Sequence, residues 1–149
     1  MLLLALLLAA GPPRPARAPF KASLLSVASR QDLDRWVTSG ALARIRDAHR
    51  GTVRPGQTTL LPIVVRNVPR GANLVADLRV VASDGRVVLS RPGCCTASRE
   101  RAPGLYVLEP VPELVLMAGD LAGLYTATAV VRDASGAQAT AREILVSTP

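Results

Sequence analysis

The sequence predicts an all-β chain in which two antiparallel sheets pack face to face. Three observations carry this expectation. Asn73–Ala82 and Leu124–Asp133 alternate apolar and polar residues with the period of two that a half-buried strand imposes. Turn residues recur at short spacing between the apolar stretches, as in Ser83-Asp84-Gly85 and Ala134-Ser135-Gly136. Prolines interrupt several of those stretches, which marks edges and breaks. The 149 residues are 49% hydrophobic and 19% charged, too apolar for a disordered chain and long enough for one modest core.

Leu2–Ala10 reads LLLALLLAA, less than half of the roughly 20 apolar residues that cross a bilayer. Followed by Gly11-Pro12-Pro13-Arg14-Pro15, it reads as the core of a secretory signal, and Ala16-Arg17-Ala18 has the small-x-small form of a cleavage site. Residues 1–18 are therefore expected to be a signal peptide or disordered leader. The mature chain is expected in the periplasm or outside the cell, with no stable membrane span after processing. Residues 19–51 are expected to be a partly helical segment packing on the domain. Phe20–Ala28 suits a first strand or a short leader. Asp32, Leu33, Trp36, Val37, Leu42, Ile45 and His49 fall at helical spacing in places, and Ser29 with Asp32 resembles a capping box. Gly40 interrupts the pattern. Trp36, the one tryptophan, is expected to pin this segment onto the core.

Residues 52–149 are expected to form the sandwich. Val53–Gln57 is a turn feeding a strand over Thr58–Val65. Pro62 lacks an amide donor, which places that strand at an edge or gives it a bulge. Asn67–Gly71 is a turn. In the next strand Leu74, Ala76, Leu78 and Val80 share one face, and Arg86–Ser90 returns beside it, so 74–90 is a hairpin. Arg91–Gly104 reads as a loop holding Cys94 and Cys95. Leu105–Glu109 and Leu114–Met117 are short strands around Pro110 and Pro112. Tyr125, Ala127, Ala129 and Val131 share one face of the Leu124–Asp133 strand. Ala137–Val146 is the last strand, with Ile144 and Val146 brought inward by a register shift near Glu143. The count is about seven strands after residue 52, which suits a sandwich.

The segment Gly119–Val146 resembles the last hairpin of bacterial immunoglobulin-like modules, on Gly119, Asp120, Gly123, Tyr125, Thr126, Asp133, Ser135 and Gly136. Val53–Gln57 resembles a strand entry of those modules. Val80–Val87 resembles their hairpin with Pro-Asp-Gly, Ser83 standing at the proline position. Over residues 53–146 the chain is similar to small exported bacterial proteins of uncertain function. The resemblance implies an immunoglobulin-like antiparallel β-sandwich. It is nearly silent on function, because such modules host adhesion, carbohydrate binding, chaperoning and structural roles. Tyr125 is expected to bury its ring and send its hydroxyl to a nearby backbone carbonyl. Gly123 and Gly136 are expected to satisfy turn geometry, and Asp120 and Asp133 to cap turns. A calcium site would need Asp84, Asp120 and Asp133 to gather at one end of the sandwich.

Catalytic signatures are not expected. His49 is the only histidine and lies in the basic run Arg44–Arg50, expected to be a solvated helix end, which suits neither a triad nor a zinc site. Glu109 and Glu113 flank prolines and are expected to be surface carboxylates. The dispersed glycines build no phosphate loop. Neighbouring Cys94 and Cys95 cannot staple distant strands; two free thiols, a vicinal disulfide, or a link to another chain stay open. With 18 Lys+Arg against 11 Asp+Glu the chain carries a formal charge of +7. The arginines are scattered, and Phe, Tyr and Trp are scarce, so nucleic acid is not an expected partner. A weak attraction to anionic lipid or polysaccharide fits the charge. No metal or other cofactor is expected. The expected function is a non-enzymatic exported module that binds a protein partner or cell-envelope component, through the Arg91–Gly104 loop or the Pro62 strand edge. The alternative is a carbohydrate-binding module, which would cluster Trp36 and Tyr106 as an exposed platform.

Overall fold

The computed structural model describes residues 11–40, 50–97, 99–120 and 122–148. The apolar run Leu2–Ala10, the helical spacing at Leu42 and Ile45, and His49 lie outside them. The elements are β1 (Lys21–Leu24), α1 (Arg30–Thr38), β2 (Arg50–Val53), β3 (Thr58–Leu60), β4 (Ile63–Arg66), β5 (Val75–Ala82), β6 (Val87–Thr96), β7 (Glu100–Ala102), β8 (Leu105–Val107), β9 (Glu113–Val115), β10 (Gly123–Arg132) and β11 (Gln138–Ser147). A five-stranded sheet runs β2-β11-β10-β5-β6 and a four-stranded sheet β1-β4-β8-β7, with β3 and β9 paired beyond them. Pairing is antiparallel except where β2 runs parallel to β11. This is an all-β, immunoglobulin-like antiparallel sandwich with a short partly helical segment ahead of it.

The main core lies between the two large sheets. The five-stranded sheet contributes Ala76, Leu78 and Val80 from β5 and Tyr125, Ala127, Ala129 and Val131 from β10. The facing sheet contributes Ile63 and Val65. The alternation expected in β5 and β10 thus sorts inside from outside. A second cluster joins Leu25, Val27, Leu33, Leu60, Val64, Leu105, Val107 and Val111, with Trp36 and Val37 packed on it. Its members explain β4. Ile63 and Val65 enter the main core while Val64 enters the second cluster, and all three have no exposed surface. A strand covered on both faces needs an unbroken apolar run. Helix α1 supplies part of the second cover, through Leu33, Trp36 and Val37. Ser29 starts it: its Oγ accepts from the Asp32 N–H at 3.2 Å and donates to Asp32 Oδ2 at 2.9 Å.

Three expectations are corrected. Thr58–Val65 is not one edge strand. It divides at Leu61-Pro62 into β3 and β4, and chain lies on both sides of it. Leu25 and Val27 donate to the carbonyls of Pro62 and Leu60 on one side; Leu61 donates to the Pro112 carbonyl, and Ile63 accepts from Leu108, on the other. The missing proline amide falls at the break, where no ladder bond is required of it. Second, Arg91–Thr96 is not loop but the second half of β6, and Glu100–Ala102 is β7. Third, β11 carries no shift near Glu143. Its register with β10 is continuous from Gly123↔Ser147 to Arg132↔Gln138. Glu143, Leu145 and Ser147 therefore point inward and are buried, while Ile144 and Val146 occupy the opposite face. The Glu143 carboxylate accepts from Ser26 Oγ at 3.1 Å, so a charged residue holds a position that patterning assigns to an apolar one.

Ahead of β1, Arg17 bridges Gln138 in parallel, and the Gln138 N–H donates to the Ala16 carbonyl at 3.4 Å. Phe20 is buried in the main core.

Two outcomes follow from this packing. A Cβ on Gly51 would overlap Ser26 Oγ and come 2.7 Å from Ser26 Cβ. Gly51→Ala should therefore lower stability by about 1–3 kcal/mol in urea unfolding. Combined with Ser26→Gly it should cost less than the two separate changes added together. Trp36→Ala should cost about 2 kcal/mol, because a half-buried ring is lost from the second cluster. Emission from the single tryptophan of the unaltered chain should shift to the red on unfolding.

Candidate functional site

Helix α1 packs into the second cluster, outside the four-stranded sheet. Among the described residues, no helix covers the outer side of the five-stranded sheet. Strand register arranges that outer face in rows. Ile144, Thr126, Val81 and Val87 form one; Arg142, Thr128, Arg79 and Ser90 the next; Thr140, Val130 and Asp77 a third. A shallow cleft of about 430 Å³ opens there, lined among others by Asp77, Arg79, Val81, Ser90, Pro92 and Val130. It lies against β6, one of the two edge strands of this sheet. From Val87 to Arg91, no strand among the described residues pairs with the free side of β6.

The free edge has a built end. Ala76 pairs with Cys95 and Leu78 with Arg91, so Pro92, Gly93 and Cys94 all stand opposite Asp77 in a bulge. Gly93 has φ +57°, a left-handed conformation that costs glycine little. Its N–H donates to Asp77 Oδ1 at 2.7 Å. Arg132, a diagonal neighbour across the sheet, donates to the same carboxylate at 2.5 and 3.2 Å. The Arg132 guanidinium first, and the Gly93 amide second, hold the Asp77 carboxyl below its ordinary range. Cys94 and Cys95 form a disulfide within the strand. Cys95 is buried in the main core and Cys94 is half-buried. At the far end of β6, Thr96 exchanges backbone bonds with Glu109 at 2.8 and 2.9 Å. Pairing of β6 with β5 is thus interrupted over Pro92–Cys94 and resumes at Cys95, and Thr96 is bonded on both sides.

The hairpin turn braces the other end. Asp84 Oδ1 accepts from the Arg86 N–H at 3.0 Å, and Arg86 donates to Asp120 at 2.7 Å. The Met117 amide, then Arg86, lower the Asp120 carboxyl. Beneath them Tyr125 is buried, and burial pushes its hydroxyl above the ordinary phenol value.

The other residues singled out in the sequence lie apart from this edge. Trp36 is half-buried on α1 against the second cluster. Tyr106 is half-buried and packs on the main core. Gly123 opens β10. Asp133 accepts from the Ser135 and Ala137 amides at 2.9 and 3.0 Å, and Gly136 completes that turn with φ +86°. Asp120 precedes β10 and Asp133 follows it, so these two carboxylates sit at opposite ends of a ten-residue strand. Glu109 pairs with Arg101 at 2.8 Å, and Glu113 begins β9. Asp77 is the residue that sequence reasoning passed over. The available signal was Pro92-Gly93, a pair that bends a strand, following a return strand that faces Asp77.

No protein-family profile and no curated protein matches the chain. Among solved structures it is similar to part of a family 123 glycoside hydrolase from Clostridium perfringens, with TM-score 0.53 and 10% identity over 87% of this chain and 27% of that one. It is also similar to a sporulation control protein from Bacillus subtilis, with TM-score 0.45 and 11% identity over 87% and 50%. A third likeness is to a periplasmic chaperone, SfaE, with TM-score 0.41 and 14% identity over 69% and 55%. The chain thus spans between about a quarter and just over half the length of these proteins. The first likeness shows shared fold and nothing of activity.

Asp77 ties the bulge to acid stability. Its folded pKa lies below the unfolded value of about 3.9. Its contribution is therefore present above that pH and lost as pH falls through the folded value. Asp77→Asn should cost about 1–3 kcal/mol at pH 7. It should also flatten the fall in the urea midpoint between neutral pH and pH about 3.

Proposed function

We propose that the chain is a non-enzymatic exported module that binds a protein partner or cell-envelope component, and that it binds through the β6 edge over Val87–Arg91. The single observation behind this reading is the unpaired side of β6 beside the cleft. An open edge presents backbone donors and acceptors to any chain that reaches it, and folded proteins ordinarily blunt such edges. Here the Pro92–Cys94 bulge closes one end of the edge, and Val87–Arg91 is left usable. A short edge with a defined stop supports docking of one segment rather than open-ended association.

The edge replaces both surfaces expected from the sequence. The Arg91–Gly104 stretch is largely strand, and the Pro62 segment is flanked on both sides. The carbohydrate-binding reading called for Trp36 and Tyr106 on one exposed platform. The two rings are half-buried and pack on different clusters, and Phe20 and Tyr125 are buried.

A photo-cross-linking amino acid placed at Ser90 should give an adduct with an envelope or secreted component in living cells. The same group at exposed Gln57, away from the edge, should give none. Fractionation should find the protein in the periplasm or medium. Equal labelling from Gln57, or labelling from neither position, would remove the edge as the binding surface; a cytosolic protein would remove export.

A further inference from the structure

We infer that the segment docking on β6 is an extended acidic stretch of a partner protein, its backbone paired with Val87–Arg91 and its carboxylates met by Arg79 and Arg91. This inference rests on the edge reading above and adds the chemistry of the occupant.

Charge placement around the edge is the first support. The acids near it are engaged within the fold. Asp77 holds Arg132 and the Gly93 amide. Asp84 takes the Arg86 amide. Glu100 takes the Gly104 amide at 2.6 Å. Glu109 pairs with Arg101, and Asp120 with Arg86. Arg79 and Arg91 are exposed, and neither side chain has an ion pair or hydrogen bond among the described residues. The free charge beside the edge is therefore positive, in a chain of formal charge +7.

Reach is the second support. A strand added to β6 would lie about 4.8 Å from it and about 10 Å from β5. On the Arg79 row only the small Ser90 stands between that arginine and the new strand. An arginine and a glutamate side chain span this gap together. The neighbouring row is Val81 and Val87. On this face a docked strand thus meets an apolar position and a cationic position, which calls for an apolar and an acidic residue two positions apart. Arg91 pairs with core-facing Leu78 and so belongs to the opposite face of the sheet, which calls for a second acid at the position next to the first. The occupant is a polypeptide because the edge offers both donors and acceptors of a strand ladder. A membrane surface or an anionic polysaccharide would satisfy the arginines but not that ladder.

The test uses the full mature chain and a peptide of about nine residues, Thr-Val-Thr-Glu-Glu-Glu-Thr-Val-Thr, which presents acids to both faces of the added strand, followed by fluorescence anisotropy and by backbone amide shifts. The acidic peptide should bind about tenfold more tightly than its all-glutamine counterpart at low salt, a difference of about two surface ion pairs. The preference should shrink as salt is added. Amide shifts should concentrate at residues 87–91. Arg79→Gln with Arg91→Gln should erase the preference, with an unchanged thermal midpoint reporting an intact fold; Arg54→Gln, away from the edge, should leave it in place. Equal binding of the acidic and glutamine peptides with shifts at 87–91 would overturn the acidic occupant and leave edge docking standing. No shift at 87–91 with any peptide would overturn both. Binding of heparin or of phosphatidylglycerol vesicles through Arg79 and Arg91, without binding of the acidic peptide, would also overturn the inference.

Discussion

The strand Ile63-Val64-Val65 is apolar on both faces, and the architecture depends on covering it twice. One cover is the five-stranded sheet, which meets Ile63 and Val65. The other is the second cluster around Val64, to which α1 adds Leu33 and Trp36. A sheet hydrophobic on two sides cannot end at a two-layer sandwich without leaving one side in water at about 25 cal/mol per Å². The helix is therefore part of the fold, and the molecule is asymmetric. One sheet is enclosed, while the other keeps an outer face that no described helix covers.

The asymmetry decides where binding can occur. On the enclosed sheet the apolar side chains are turned into the two clusters. On the other, strand register sets apolar, cationic and mixed rows side by side, and the edge strand β6 runs along them. Asp77 is the pivot of that edge. By holding Gly93 and Arg132 together it stabilises the bulge that ends regular pairing. A buried Asp77 would need its own desolvation offset; half-exposed, it gains from its partners at little cost. The result is an edge that is open over a short stretch and closed beyond it, an arrangement that limits self-association.

Much of the architecture was legible in the residues. The hairpin from β5 into β6 and the pairing of β10 with β11 follow from alternation and from Ser83-Asp84-Gly85 and Asp133–Gly136, because strand period and turn geometry are local properties. Pro62 misled because a missing donor argues for an edge only while its ladder is continuous; here the ladder breaks at that residue. Glu143 misled because patterning assigns charge to the outer face, whereas a distant hydroxyl, Ser26 Oγ, meets it inside. Cys94 and Cys95 read as loop because Pro92-Gly93 precedes them; the Asp77 carboxylate accepts the Gly93 amide and lets the strand continue through the bulge.

The sequence by itself determined that the chain is built of antiparallel hairpins with an aliphatic core, and which faces of β5 and β10 point inward. Those facts need only neighbours two residues apart or a turn of a few residues. Tertiary structure alone decided that α1 would join the cluster outside one sheet, that Glu143 would be buried, and that β6 would be left as an open edge. Each of these depends on which strands become neighbours, and that choice balances burial and hydrogen bonding over residues far apart in the chain, where alternation carries no address.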